Sequence, residues 1–102
     1  MHKRKNIYNF EINGFMCPEY KDSQNIVQNS YKVSIESSSW FTVDFIINIF
    51  KKYEGFIYQE DLCESVFVDL LSSIDKPNTL KIKMIGNHDG VEVVSELDGK
   101  IK

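Results

Sequence analysis

Cysteine and histidine are scarce in this sequence, positive charge is outnumbered by negative, and long apolar runs are missing, and each of these excludes something. Two cysteines, Cys17 and Cys63, are too few for the disulfide framework of a small secreted domain and read as free thiols. Neither cysteine has a clustered Cys or His neighbour, so no metal site is expected. With 12 Lys and Arg against 15 Asp and Glu, the net charge of −3 removes any global electrostatic case for binding nucleic acid. No apolar run approaches the roughly 20 residues of a membrane-spanning helix. The segment Met1-His2-Lys3-Arg4-Lys5 is basic, but no apolar signal-peptide core follows it. The expectation is a cytoplasmic protein with no membrane partner. No repeat, low-complexity tract or linker interrupts the chain, so all 102 residues read as one domain.

Hydrophobic and charged residues, at 42% and 26%, stand at ordinary globular levels, while aromatics, at 13%, must be packed somewhere. Tyr8, Phe10 and Ile12 alternate with Asn9, Glu11 and Asn13, the pattern of a half-buried strand that Gly14 is expected to end. Ile26 and Val27 begin a second extended region, in which Gln28-Asn29-Ser30 reads as a turn or a bulged strand. Tyr31, Val33 and Ile35 alternate with Lys32, Ser34 and Glu36, which places Glu36 opposite the core face. The serines Ser37-Ser38-Ser39 offer caps for a helix from Trp40 to about Tyr53, with Val43, Ile46, Ile47 and Phe50 inward and Phe41, Phe45 and Ile49 on another face. That helix is apolar over so much of its circumference that a second subunit or layer is expected to cover it.

A second helix is expected from about Glu60 to Ile74, with the stripe Leu62, Cys63, Val66, Phe67, Leu70, Leu71 and Ile74. Cys63 lies inside that stripe and reads as core. Asp75-Lys76-Pro77-Asn78 breaks the helix. Leu80, Ile82 and Met84 alternate with Lys81 and Lys83 in a third strand, Asn87-His88-Asp89-Gly90 is a hairpin turn, Val91 and Val93 mark a fourth strand, and Leu97 to Lys102 reads as tail. The order ββααββ implies an α+β domain with two helices on one face of an antiparallel sheet.

The stretch Phe15-Met16-Cys17-Pro18-Glu19-Tyr20-Lys21-Asp22 carries the most chemistry. Pro18 keeps Cys17 out of the α region, so its thiol sits on extended or turn backbone, expected in a loop. A sulfur nucleophile needs a group to manage a proton, and Asp22 is near enough in sequence to be one. A buried Cys17 beside a solvated Asp22 is the alternative.

The segments Phe15-Met16-Cys17-Pro18, Ser34-Ile35-Glu36-Ser37-Ser38-Ser39 and Tyr53-Glu54-Gly55-Phe56-Ile57-Tyr58-Gln59-Glu60, in this order, resemble the 7-cyano-7-deazaguanine (nitrile) reductases and their short QueF-like amidinotransferase relatives of the archaeosine synthase type. These share the tunnelling fold of GTP cyclohydrolase I and dihydroneopterin aldolase. The resemblance covers roughly residues 8 to 95. It implies that Cys17 attacks a nitrile carbon to form a thioimide, and that Glu36 and Glu60 bind the polar edge of the deazaguanine. Gln59 takes the place of the family's histidine. Gln24 stands at the family's spacing for the catalytic aspartate, and a shorter loop brings Asp22 into its place. Ser38 and Phe41 replace the lysines of the reductase NADPH signature, and Gly86-Asn87-His88-Asp89-Gly90 lacks the arginine of the family's corresponding turn.

What is kept and what is lost point the same way. A dinucleotide phosphate needs fixed positive charge, and the residues that supply it are gone. The resemblance therefore implies an amidinotransferase without redox cofactor. It would convert the nitrile of 7-cyano-7-deazaguanine, carried in tRNA, to the amidine of archaeosine with ammonia. The basic N-terminus and Lys81/Lys83 are compatible with a polynucleotide and do not require one. The rivals are an NADPH-dependent reductase with a degenerate cofactor site, a non-catalytic module that binds a modified base or nucleic acid, and pterin chemistry of the cyclohydrolase kind, against which the missing Cys/His zinc constellation argues. Tunnelling folds form rings with sites between subunits, so a homo-oligomer is implied.

Overall fold

The computed structural model describes residues 4–18, 24–74, 78–88 and 90–101. Its elements run β1 (Asn6–Pro18), β2 (Ile26–Ser37), α1 (Val43–Lys51), β3 (Gly55–Phe56), α2 (Gln59–Ser72), β4 (Asn78–His88) and β5 (Val91–Ile101). One sheet has the order β3-β1-β2-β4-β5. All its pairs are antiparallel except β1 with the two-residue β3. The helices pack on one face, over a core of Phe15, Tyr31, Val33, Ile35, Leu62, Val66, Leu70, Leu80, Ile82 and Met84. The α+β arrangement expected from the periodicities is the one found, with β3 added between the helices.

The strands are longer than their alternation suggested, and the reason lies at Gly14. Ile12 pairs with Tyr31 and Phe15 pairs with Asn29, so three steps on β1 match two on β2. The extra residue is a bulge on β1, made possible by the positive φ of 93° at Gly14. Gly14 therefore does not end the strand. It changes its parity: Tyr8, Phe10 and Ile12 turn toward the helices before it, Phe15 and Cys17 after it. Gln28-Asn29-Ser30 is regular β2 strand, since the bulge belongs to its neighbour. Residues 97–101 are not a tail, because they pair with β4 as far as Asn78↔Ile101.

The helix α1 also departs from its expected form. Its N-cap is Thr42, whose Oγ1 accepts from the Phe45 amide at 3.2 Å, an interaction worth about 1 kcal/mol. The serines Ser37, Ser38 and Ser39 instead lace β2 to the start of β4: Ser38 N donates to Asn78 Oδ1 at 3.1 Å, and Asn78 Nδ2 donates to Ser39 Oγ. Tyr8 OH donates to Phe41 O and accepts from Phe41 N, which sets the chain's approach to the helix. The buried stripe is Ile46, Ile49 and Phe50, while Val43 and Ile47, expected inward, are exposed. Phe41 at the helix start is buried, which rotates the inward face by about one position. The helix α2 matches its expected stripe, with Leu62, Cys63, Val66, Phe67 and Leu70 buried. Burial pushes the Cys63 thiol up to about 11, consistent with a core role. The Asp75-Lys76-Pro77 break, Asp89 of the hairpin turn, and the N-terminal His2 and Lys3 lie outside the described residues.

Candidate active site

Cys17 is at the end of β1, opposite Val27 of β2, on the face that the helices cover. Only 3% of it is exposed. Its sequence environment suggested a loop, and the bulge explains why it is on a strand and turned inward. Its sulfur is not left alone: Asn29 Nδ2 donates to Cys17 Sγ at 2.8 Å. Asn29 is itself buried, so the bond is shielded from water and fixes the position of the sulfur. Asn29 was missed as a site residue. The signal was present, because a polar residue at the inward position of the series Asn29, Tyr31, Val33, Ile35 needs a partner.

Tyr31, two residues on, is only 1% exposed, and its hydroxyl has no hydrogen-bond partner among the described residues. Burial pushes its phenol up to about 12; the neighbouring Cys17 sulfur adds to this, and the Asn29 amide, close to the phenol oxygen but out of hydrogen-bonding geometry with it, offsets part of it. Its ring packs against Phe15, with centroids 6.1 Å apart, and against the backbone of Gly86. A Cβ at Gly86 would lie 2.8 Å from the ring and 2.6 Å from Gln59 Oε1, so glycine lets these two side chains share one space.

The short strand β3 brings the start of α2 to this end of the sheet. Phe15 and Met16 pair with Gly55 and Phe56, and Ile57 N donates to Met16 O at 2.9 Å. Gln59 and Glu60 open α2 just beyond. Glu60 is exposed in the first turn, where a carboxylate also favours the helix dipole. Gln59 is buried, and its amide clamps α2 onto the hairpin: Nε2 lies 3.2 Å from Met84 O, 3.0 Å from Val93 O and 3.2 Å from Ser95 Oγ. Those acceptors orient the amide, so Oε1 faces His88 Nε2 at 3.1 Å. An amide oxygen only accepts, hence the His88 tautomer with a proton on Nε2 fits this contact. His88 was read from sequence only as part of a turn, since nothing along the chain links it to Gln59.

Glu36 is elsewhere. It lies on the opposite face of the sheet, nine residues along β2 from the partner of Cys17, a separation of roughly 30 Å along the strand. There it pairs with Lys5 at 3.4 Å and lines an open hollow of about 430 Å³ with Thr79, Leu80, Lys81, Asp98 and Gly99. Asp22 lies outside the described residues. One chain thus gathers Cys17, Gln59 and Glu60 at one end, with Asn29, Tyr31 and His88, and holds Glu36 at the other.

No family model and no curated protein matches the chain. Among solved structures, it is similar to the crystal structure of the archaeosine synthase QueF-Like in the apo form, with a TM-score of 0.70 and 19% identity, over 91% of this chain and 92% of that one. The likeness establishes the fold: a five-stranded sheet with both helices on one face is shared along nearly the whole length of both chains.

Proposed function

We propose that this chain is an amidinotransferase that converts the nitrile of 7-cyano-7-deazaguanine, carried in tRNA, to an amidine with ammonia. One observation carries the reading: the fold shared with an archaeosine synthase turns Cys17 inward, gives its sulfur a buried amide donor, and sets it at the same end as the carboxylate of Glu60. Cys17 sulfur adds to the nitrile carbon. A C–S bond forms, one C–N π bond breaks, and the nitrogen takes a proton, for which Asp22 is the assigned donor. Ammonia then adds to the thioimide carbon, the C–S bond breaks, and the sulfur leaves with the amidine formed. No electrons are gained or lost overall, so the step needs no redox cofactor.

Glu60 and Glu36 accept hydrogen bonds from the donor-rich edge of the base, which discriminates against bases lacking those donors. Gln59 positions α2 and reaches the base only through the second lone pair of Oε1. The distance between Glu36 and Cys17 in one chain supports a composite site, with Cys17 from one subunit and Glu36 from another. The free edge of β5 and the exposed apolar face of α1 support assembly. One observation favours a second reading: His88 brings an imidazole to Gln59, the position that the resemblance assigns to the family's histidine, as an NADPH-dependent reductase requires.

The test is an intact mass after incubation with 7-cyano-7-deazaguanine, as free base and in tRNA, with Cys17→Ala as control. A mass gain equal to the nitrile substrate, absent in the variant, is expected. Added ammonium should then release amidine; release of amine with NADPH oxidation would select the reductase. No adduct with either substrate would leave a base-binding module.

A further inference from the structure

We propose that the Tyr31 hydroxyl is a substrate-facing hydrogen-bond donor that meets the nitrile nitrogen as Cys17 sulfur adds to the carbon. The proposal rests on the function proposed above and names a residue that neither the sequence nor that mechanism assigned. A buried hydroxyl without a partner is uncommon, because leaving it unbonded forfeits its hydration with nothing in return. Where one persists beside a nucleophile, an incoming atom is the natural acceptor. Tyr31 meets both conditions: it is 1% exposed with its hydroxyl unpaired among the described residues, and it lies within electrostatic reach of Cys17 and Asn29.

The division of labour follows from donor chemistry. Asn29 spends an N–H on the sulfur, so it fixes the nucleophile. The ring of Tyr31 is wedged by Phe15 and the Gly86 backbone, so its hydroxyl is held without a bond of its own. As the C–S bond forms, the electron pair of the broken C–N π bond collects on nitrogen. A fixed O–H there stabilises the charge as an oxyanion-hole donor does, while the proton itself comes from Asp22 or solvent. A phenol held near 12 keeps its proton throughout the neutral range, which suits a donor that does not transfer it. The small residue at Gly86 keeps Gln59 and Tyr31 close enough to frame the same space.

Tyr31→Phe separates this role from packing. It removes only the unpaired oxygen, so thermal stability should hold or rise, whereas adduct formation in a single turnover with nitrile-bearing tRNA or the free base should slow about 10²-fold. Substrate affinity should change far less than the rate. Equal adduct rates in wild type and variant would overturn the Tyr31 assignment and leave the amidinotransferase reading standing. No adduct in the wild type would overturn both. Should Tyr31→Phe fail to fold, the wild-type chain labelled with ¹³Cζ-tyrosine decides. The Tyr31 resonance, expected to be the last of the tyrosines to titrate, should shift on adduct formation, and no shift would overturn the proposal.

Discussion

At the scale of single residues, the molecule contrasts two kinds of polar group. Asp69 of α2 is fully employed: Lys52 Nζ lies 2.8 Å from its Oδ2 and Tyr53 OH donates to the same oxygen at 2.5 Å. The Lys52 ammonium, with Tyr53 adding to it, holds the Asp69 carboxyl below its ordinary range, and the same carboxylate pushes the Tyr53 phenol up. The depressed carboxyl contributes stability that is present above the unfolded value near 3.9 and is lost as pH falls through the lower folded value. The cluster is largely solvated, so Asp69→Asn should cost under about 1 kcal/mol at neutral pH. Urea titrations should show that difference shrinking below about pH 4. Tyr31 is the opposite case, buried and unemployed, and Cys63 is a third, a thiol kept neutral by the core around it.

At the scale of elements, one glycine decides which way the Cys17 thiol faces. Because side chains alternate along a strand, a one-residue change of register moves every later residue to the other face. Without the bulge at Gly14, Cys17 would share the outer face with Asn9 and Glu11. Gly14→Ala meets no steric block, since the nearest atoms to an added Cβ belong to Glu54 at 3.8 Å. Its cost is therefore backbone strain at φ 93°, about 1–2 kcal/mol, readable by urea denaturation. A chain that relieved this strain by losing the bulge should also lose Cys17 adduct formation, while one that kept it should retain the adduct at lower stability. The two-residue β3 matters similarly, because its parallel pairing with β1 is what sets the start of α2 beside Cys17.

At the scale of the whole molecule, the proposed function needs a second subunit, because Glu36 and Cys17 stand far apart on opposite faces of one chain's sheet. The exposed apolar side chains of α1 and of the segment leading into it, with Val43 at 62% and Trp40 at 72% exposure, give such a subunit something to cover. Sedimentation should show a species larger than 11.9 kDa. Subunits carrying Cys17→Ala and subunits carrying Glu36→Gln should each be inactive. Unfolded together in equal amounts and refolded, they should recover about a quarter of full activity, because that share of random interfaces pairs an intact Cys17 with an intact Glu36. Recovery of none would place both residues in one chain's site, and full activity of Glu36→Gln on its own would place Glu36 outside any site.

Much of this was legible along the chain. The alternation of Tyr31, Val33 and Ile35, the stripe of α2 and the antiparallel return of β4 into β5 are local patterns, and local patterns specify local structure. The site candidates Cys17, Glu36, Gln59 and Glu60 were legible as an ordered set, and three of the four do come to one end of the fold. What the sequence could not express was parity and distance. The bulge at Gly14 reads the same as a strand end, because both want glycine at positive φ. The inward face of α1 shifted because Phe41, outside the helix, took a place in the core. Asn29 against Cys17, and His88 against Gln59, join residues from separate strands and helices, and only folding brings their atoms within hydrogen-bond reach. The sequence carries the chemistry of each group; three-dimensional packing assigns which groups meet, because a contact between distant residues depends on every register and turn between them.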